Sequence, residues 1–462
     1  MVFPVVGGNQ STGYEITNSL RFDGSSSYLY HTHESGNKDT FTFSAWIKFG
    51  DLDNDTSADV LFSVTNTGYV IIRFEDKQLD YLDYDGSDVA TVSTNRLFRD
   101  VSAWYHIVVA IDMTQSTDSN RVKLYVNGSQ ESSFATATYQ PQNQDTVVNT
   151  AAEHRIGRES GNYFSGYMAD VNFIDGTAYA ASDFGETNDN GVWIPKKPDV
   201  TYGTNGYKLE FKQTGTSANA SGIGADTSGQ GNHHSVSGLA AIDVTEDTPT
   251  NNFATLNPLA VGANTNKAYS EGNTKVLASG GSGQPWKHAL GTIGVSNGKW
   301  YWECKAIISG IVIAGVTDAD TTSSYEDDAL DEGVYYRSSN GYKYVGGSDS
   351  SYGNTFANDD IIGVALDMDN KKIYFSKNGT FQNSGDPTSG STGTGALSVS
   401  SFSTLLPDVI QGDGSDGWQL NFGNAPFAIS SGNADANGYG EFEYAVPSGY
   451  YSLCTKNLAE YG

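Results

Sequence analysis

Apolar residues in this chain recur at every second position, and no long stretch repeats them at the three-to-four spacing of an amphipathic helix. Thr40-Phe-Thr-Phe-Ser-Ala-Trp-Ile-Lys-Phe49 is the clearest case. Phe41, Phe43, Ala45, Ile47 and Phe49 share one face, and Trp46 falls on the other, so both faces are partly covered, as in a sandwich of two sheets. The helix-like pieces are brief, such as residues 178–184. Glycine (53) and tyrosine (28) are abundant, which favours turns and half-buried pleated surfaces. The chain is therefore expected to be all-β.

A length of 462 residues exceeds what one core organises and suits two large ones. The two halves repeat a phrase. In each, an aliphatic strand ending in Asp (107–112, 361–367) precedes a strand that ends in Asn-Gly, at Asn127-Gly128 and Asn378-Gly379. Asn-Gly between alternating strands is the strongest short hairpin signal, so the same kind of sandwich is expected twice. Residues 213–226, rich in Gly, Ser, Thr and Ala, read as a linker by composition, and 239–259 as an extended bridge. Residues 191–211, rich in Trp, Pro and Tyr, are expected to pack as a clasp.

The formal charge is −28. Such a surface repels nucleic acid and anionic membranes, so neither is an expected partner. It leaves neutral glycans or basic protein patches as ligands. Two cysteines cannot frame a chain this long; Cys304 alternates with Trp300, Trp302 and Ala306 and reads as a small core residue. The opening Met-Val-Phe-Pro-Val-Val-Gly-Gly has neither a charged n-region nor a long apolar h-region, so no signal peptide and no membrane span are expected. A protein that works outside the cell without a signal leaves by lysis, inside a particle.

The words at 19–24, 43–49, Trp104–Asp112, 123–128 and 166–174 resemble a laminin-G or concanavalin A-like jelly roll. Those at 298–305, 311–318, 360–379 and 418–423 resemble a SPRY domain. The middle, with Phe173-Ile-Asp-Gly, Ser182-Asp-Phe-Gly-Glu and residues 191–197, 202–211 and 248–259, is similar to a block recurrent in virion proteins of tailed bacteriophages, as is the ending at 446–458. The resemblance implies two concanavalin A-like jelly-roll sandwiches in tandem, laminin-G-like then SPRY-like, joined by an extended clasp and linker. The boundaries expected are an N-terminal arm at 1–12, the first sandwich with its clasp at 13–212, a linker at 213–262, the second sandwich at 263–430 and a C-terminal extension at 431–462. It further implies a virion structural protein, assembled in the host cytoplasm and exposed on the particle as a tail fibre or appendage. Its partners would be its own copies in a homotrimer, other virion proteins, and a host-surface glycan or protein. A capsid-cementing role and a secreted carbohydrate-binding module are the alternatives.

Catalysis is not expected. Gly294-Val-Ser-Asn-Gly298 matches the esterase pattern, but a nucleophile elbow needs a helix after it, and here a strand follows. Glu441-Phe-Glu443 is the nearest pair of carboxylates on one strand, outside both cores and without the further acid of jelly-roll glycosidases. No cofactor is expected, with calcium as the candidate ion: Asp51, Asp53 and Asp55 alternate in a loop, though without the glycine and distal glutamate of an EF-hand, and a solvated acidic loop explains them as well. Glu326-Asp-Asp and Asp331-Glu332 are weaker clusters. His31-Thr-His33 and His233-His234 could ligate zinc but show no third ligand, and read as surface histidines. Sugar binding needs ring faces beside polar groups. The second half offers Tyr325, Tyr335, Tyr336, Tyr342, Tyr344 and Tyr352, of which Tyr342 and Tyr352, next to loop glycines, are the expected ligand-binding residues.

Overall fold

A computed structural model describes residues 13–50, 58–87, 89–260, 266–279, 286–320, 329–412 and 414–462. The expected arm at 1–12, the calcium candidates Asp51, Asp53 and Asp55, Tyr325 and the Glu326-Asp-Asp cluster lie outside the described residues. The chain divides into two units, Gln10–Thr250 and Asn251–Gly462.

The first unit contains two eight-stranded sheets. In one, Thr40–Phe49 runs antiparallel between Ser165–Asp175 and Trp104–Asp112. Every residue of Thr40–Phe49 after Thr40 is buried, which an alternating strand achieves only when both of its faces are covered. The inward face meets the second sheet through rings: Phe49 packs edge-on to Phe74 at 4.8 Å, and Phe62 stacks on Phe173 at 5.5 Å. Trp104–Asp112 passes its register to Val122–Val126. The turn after that strand holds Asn127 at φ 48° and Gly128 at φ 80°, the left-handed pair that a type I′ hairpin needs. Asn378 at φ 48° and Gly379 at φ 77° repeat it in the second unit.

The outward face of Thr40–Phe49 is covered by the expected clasp. Trp46 stacks on His106 at 4.7 Å, and His106 on Trp193 at 6.0 Å. Trp193 Nε1 donates to His106 Nδ1 at 3.1 Å, so His106 carries its proton on Nε2, which faces Ser44 Oγ at 2.9 Å. Strand Trp193–Pro195 pairs with Gly185–Thr187, and a Cβ on Gly185 would lie 2.5 Å from the Trp193 ring. That ring is held by a stack and a hydrogen bond and cannot step aside. Gly185→Ala is expected to cost about 1–3 kcal/mol by overpacking, read as a lowered denaturation midpoint with unchanged slope.

The linker expected at 213–262 is absent as a linker. Residues 213–250 fold onto the first unit. Asp226 bridges Leu209, Ile223 is fully buried, Ser235–Ser237 adds the last strand of the second sheet beside Tyr28–Thr32, and Val244–Thr245 pairs with Ser19–Asp23. Residues 251–259 belong to the second unit, where Phe253 bridges Cys454 and Leu256 bridges Gly291. A Gly/Ser-rich composition is compatible with tight turns as well as with freedom; a few apolar anchors decide which.

The second unit pairs a nine-stranded sheet with one of six strands. Trp300, Trp302, Cys304 and Ala306 point from Lys299–Ile307 into its core, as the alternation required. The segment expected as a C-terminal extension is integral to this unit. Tyr451–Ser452 runs parallel to Trp300–Tyr301, and Phe442 and Tyr450 close over Tyr301. Glu303 holds it there, accepting from the backbone N–H groups of Glu443 (3.0 Å) and Tyr444 (2.8 Å) and from Asn421 Nδ2 (3.1 Å). One α-helix, Thr455–Tyr461, closes the chain.

Candidate functional site

Six strands of the second unit run in the order Lys287–Leu290, Leu405–Gln411, Val312–Asp318, Gly333–Arg337, Tyr342–Val345, Ser348–Ser351. Period two sends Val334 and Tyr336 into the main core and Tyr335 and Arg337 to the opposite face. Tyr344 pairs with Tyr335, so Tyr342 and Tyr344 share that opposite face. Tyr342 is thus half-buried on the same face as Tyr344, and Trp286 is half-buried too. Arg337 donates from Nη1 to Tyr344 Oη at 2.6 Å, and its guanidinium lies 5.7 Å from the Trp286 ring. A ring face, a cation and phenol groups on one surface are what a sugar or a polar peptide requires.

The floor beneath is polar and closed. Asp408 Oδ2 accepts from buried Tyr335 Oη at 3.0 Å and lies 2.7 Å from His288 Nδ1. Lys267 Nζ donates to the His288 carbonyl; burial pushes its pKa down to about 8, against the pull of Asp408. Asp408, Tyr335 and His288 are buried and fix the orientation of the face, while Lys267 is half-buried.

Tyr352 does not join this surface. It is 7 % exposed and sits in the core, edge-on to Tyr336 at 5.5 Å, with its hydroxyl receiving the Phe375 N–H at 3.3 Å. Its glycine neighbours suggested an exposed loop; Tyr352 and Gly353 instead bond back to Gly341 and tuck the ring inward. Tyr335 and Tyr336 are also buried.

The remaining candidates are placed as follows. Ser296 is an exposed turn residue followed by strand Lys299–Ile307. Glu441 is exposed, and Glu443 accepts from the Ser430 N–H at 2.6 Å and from its hydroxyl, bonds that lower its pKa. Of the four histidines expected at the surface, His33 and His234 are buried, and His31 and His233 are half-buried. His154 joins them, stacked on His33 at 3.6 Å, and His31 lies 5.4 Å from His234. Among the described residues no group of three or more His, Cys, Asp or Glu is arranged to hold a metal ion.

The first unit has an aromatic and basic surface that sequence reasoning missed. Tyr28 and Tyr30 lie 5.6 Å apart along one strand, and Arg158 packs against Tyr28 and Tyr163. The alternation of Tyr28 and Tyr30 and the Ser160-Gly161 turn were visible signals, but residues 28 and 158 become neighbours only through sheet pairing.

Residues 23–182 match the family model of the concanavalin A-like lectin/glucanases superfamily, and residues 299–423 match that of the SPRY domain. Similar solved structures include the SPRY domain of human HERC1 (18 % identity, covering 32 % of this chain and 87 % of that one, TM-score 0.26). A heptameric SAP-like pentraxin from Limulus polyphemus shares 17 % identity over 36 % of this chain and 80 % of that one, with a TM-score of 0.28. The TRIM65 PSpry domain shares 16 % over 36 % and 91 %, with a TM-score of 0.28. No curated protein matches the sequence.

Proposed function

We propose that this chain, in which a concanavalin A-like domain is followed by a SPRY domain, is a non-catalytic binding component of a tailed-phage particle that attaches it to a host-surface glycan. Lectin-type sandwiches are compatible with binding and adhesion, and the phage assignment rests on the wording of the middle block, residues 173–259, and of the ending at 446–458. The observation that carries the binding role is the surface of Trp286, Arg337 and Tyr344, with Tyr342 on the same face. Such a site is shallow, so affinity would come from repetition on a homotrimer, where avidity multiplies weak binding by about 10²–10⁴.

The isolated protein is expected to block phage adsorption to host cells, and Trp286→Ala to block it less at equal concentration. Absence of competition at saturating protein counts against the proposal. Hundreds of copies on the head, counted in purified particles, would favour the cementing role instead. Steady release of reducing sugar from host polysaccharide would show that the chain is an enzyme after all.

A further inference from the structure

We propose that the first unit carries a separate binding site, built on Arg158, Tyr28 and Tyr163, whose ligand is a carboxylated saccharide. Arg158–Glu159 and Asn162–Tyr163 form a hairpin around Ser160-Gly161, with Ser160 at φ 51°. The tight turn sets Arg158 directly opposite Tyr163. The guanidinium lies 4.6 Å from the Tyr28 ring centroid and 5.3 Å from that of Tyr163, the two rings being inclined at 60°. Arg158 Nε donates to the Ser160 carbonyl at 3.0 Å, which fixes the plane of the group. Its two terminal nitrogens have no partner among the described residues.

That vacancy is informative in a chain with 54 acidic and 26 basic residues. The carboxylates closest in sequence are engaged elsewhere: Glu159 accepts from Ser160 Oγ at 2.5 Å, and Glu153 pairs with Arg155 at 2.6 Å. The terminal edge of a guanidinium matches a carboxylate in two parallel hydrogen bonds, and rings against its faces keep water from competing. The tyrosines supply the surface on which the C–H face of a sugar rests. Strand Ser235–Ser237 sets Ser237 beside Tyr28 and Ser235 beside Tyr30. The hydroxyls of all four, and of Tyr163, make no hydrogen bond within the described chain and are available to sugar hydroxyls. The net charge of −28 works against an anionic ligand, but at physiological salt charges more than about 8 Å from the site are largely screened, so most of it does not reach the contact.

The choice of a surface polysaccharide as the source rests on the proposed function; the site itself can be tested without it. Calorimetric titration of the full chain with a galacturonate tetramer is expected to show binding, and the neutral galactose tetramer to bind much more weakly. Arg158→Met keeps the stem against the rings and removes the charge; it is expected to weaken the acidic ligand by roughly ten- to a hundredfold with an unchanged melting temperature. If that variant fails to fold, Arg158→Lys serves, and a loss is still expected because an ammonium cannot form the two parallel bonds. Equal affinity for the neutral tetramer, undiminished binding by the variant, or full competition by inorganic phosphate would each overturn the proposal. Adsorption still blocked by Arg158→Met would remove this site and leave the proposed function standing.

Discussion

Lowering the pH from 6.5 towards 4 is expected to unfold the first unit well before the second. His106, His154 and His234 are pushed down to about 3 by burial, and His33 is held well below its ordinary value by burial and by the adjacent His154. The geometry gives the reason. The Asn149 N–H donates to His154 Nε2 at 3.1 Å, which leaves Nδ1 to donate to the Ala152 carbonyl at 2.9 Å, so this ring is held neutral. His33 Nε2, His234 Nε2 and the Tyr207 hydroxyl are buried without a partner, so a proton added to either ring finds no acceptor there. Of the charged groups facing the cluster, Asp226 raises the pKa of half-buried His31, but burial outweighs it and lowers it overall.

A depressed histidine pKa means that the unfolded chain binds protons that the fold refuses. The stabilisation is complete above 6.5, the ordinary value, and drains as pH falls towards the folded value, at about 1.4 kcal/mol per pH unit for each ring. Raised carboxylates act in the opposite direction. Burial raises Asp83 to about 7 and Asp80 to about 6, and it raises Asp39, Asp170 and Asp243 as well, so each destabilises the fold at neutral pH and returns that cost on acidification. Hydrogen bonds and nearby lysines lower Asp23, Asp112 and Glu210, which lose stability together with the rings and with His31, so the net direction is a loss on acidification. Against a typical total of about 5–15 kcal/mol, such a loss moves the transition of the first unit into the acid range. The second unit holds only His288 of the seven histidines. Calorimetry at decreasing pH should therefore show one transition moving down faster than the other. His234→Phe should slow its descent, and a melting temperature that stays flat from pH 7 to 5 would sink the account.

The same cluster marks where the sequence stops being legible. The period of two placed Cys304 between Trp300 and Trp302 in the core and set Trp46 opposite Phe43 and Phe49, because alternation is local and survives any tertiary arrangement. The two Asn-Gly turns were equally local. Residues 31, 33, 154 and 234 were not readable as neighbours, since they meet only through the pairing of His154 with His31 and the late strand Ser235–Ser237. Tyr342, chosen for its neighbouring glycine, lies half-buried on strand Tyr342–Val345 and not in a loop. Tyr352 was misjudged because flanking glycines reveal turn geometry and not the side to which the turn folds. Residues 213–226 misled for a related reason: composition reports backbone freedom in isolation, while Ile223 and Asp226 anchor the segment.

The middle stretch itself is expected to depend on one buried ion pair. Lys48 Nζ and Asp247 Oδ2 lie 2.9 Å apart, with side-chain exposures of 0 % and 1 %. Trp104 Nε1 donates to the other carboxylate oxygen at 3.1 Å, the Asp247 carbonyl accepts from Ser19 Oγ at 2.5 Å, and the lysine lies 5.7 Å from the Tyr167 ring. The pair thus joins the outward face of Thr40–Phe49 to the stretch 239–259 that was expected as an extended bridge. Burying two charges costs several kcal/mol per ion, so the pair need not add net stability when intact, but breaking it strands one charge in a dry site. Lys48→Ala and Asp247→Ala are each expected to destabilise the first unit by about 3–5 kcal/mol. Lys48→Met combined with Asp247→Leu replaces both charges by apolar groups and is expected to recover most of that loss, a strongly non-additive result in a double-mutant cycle. Proteolysis gives an independent reading: the single variants should open residues 239–250 to cleavage under conditions where the parent and the double variant resist. Single losses that simply add would show that Asp247 is not what holds the segment down.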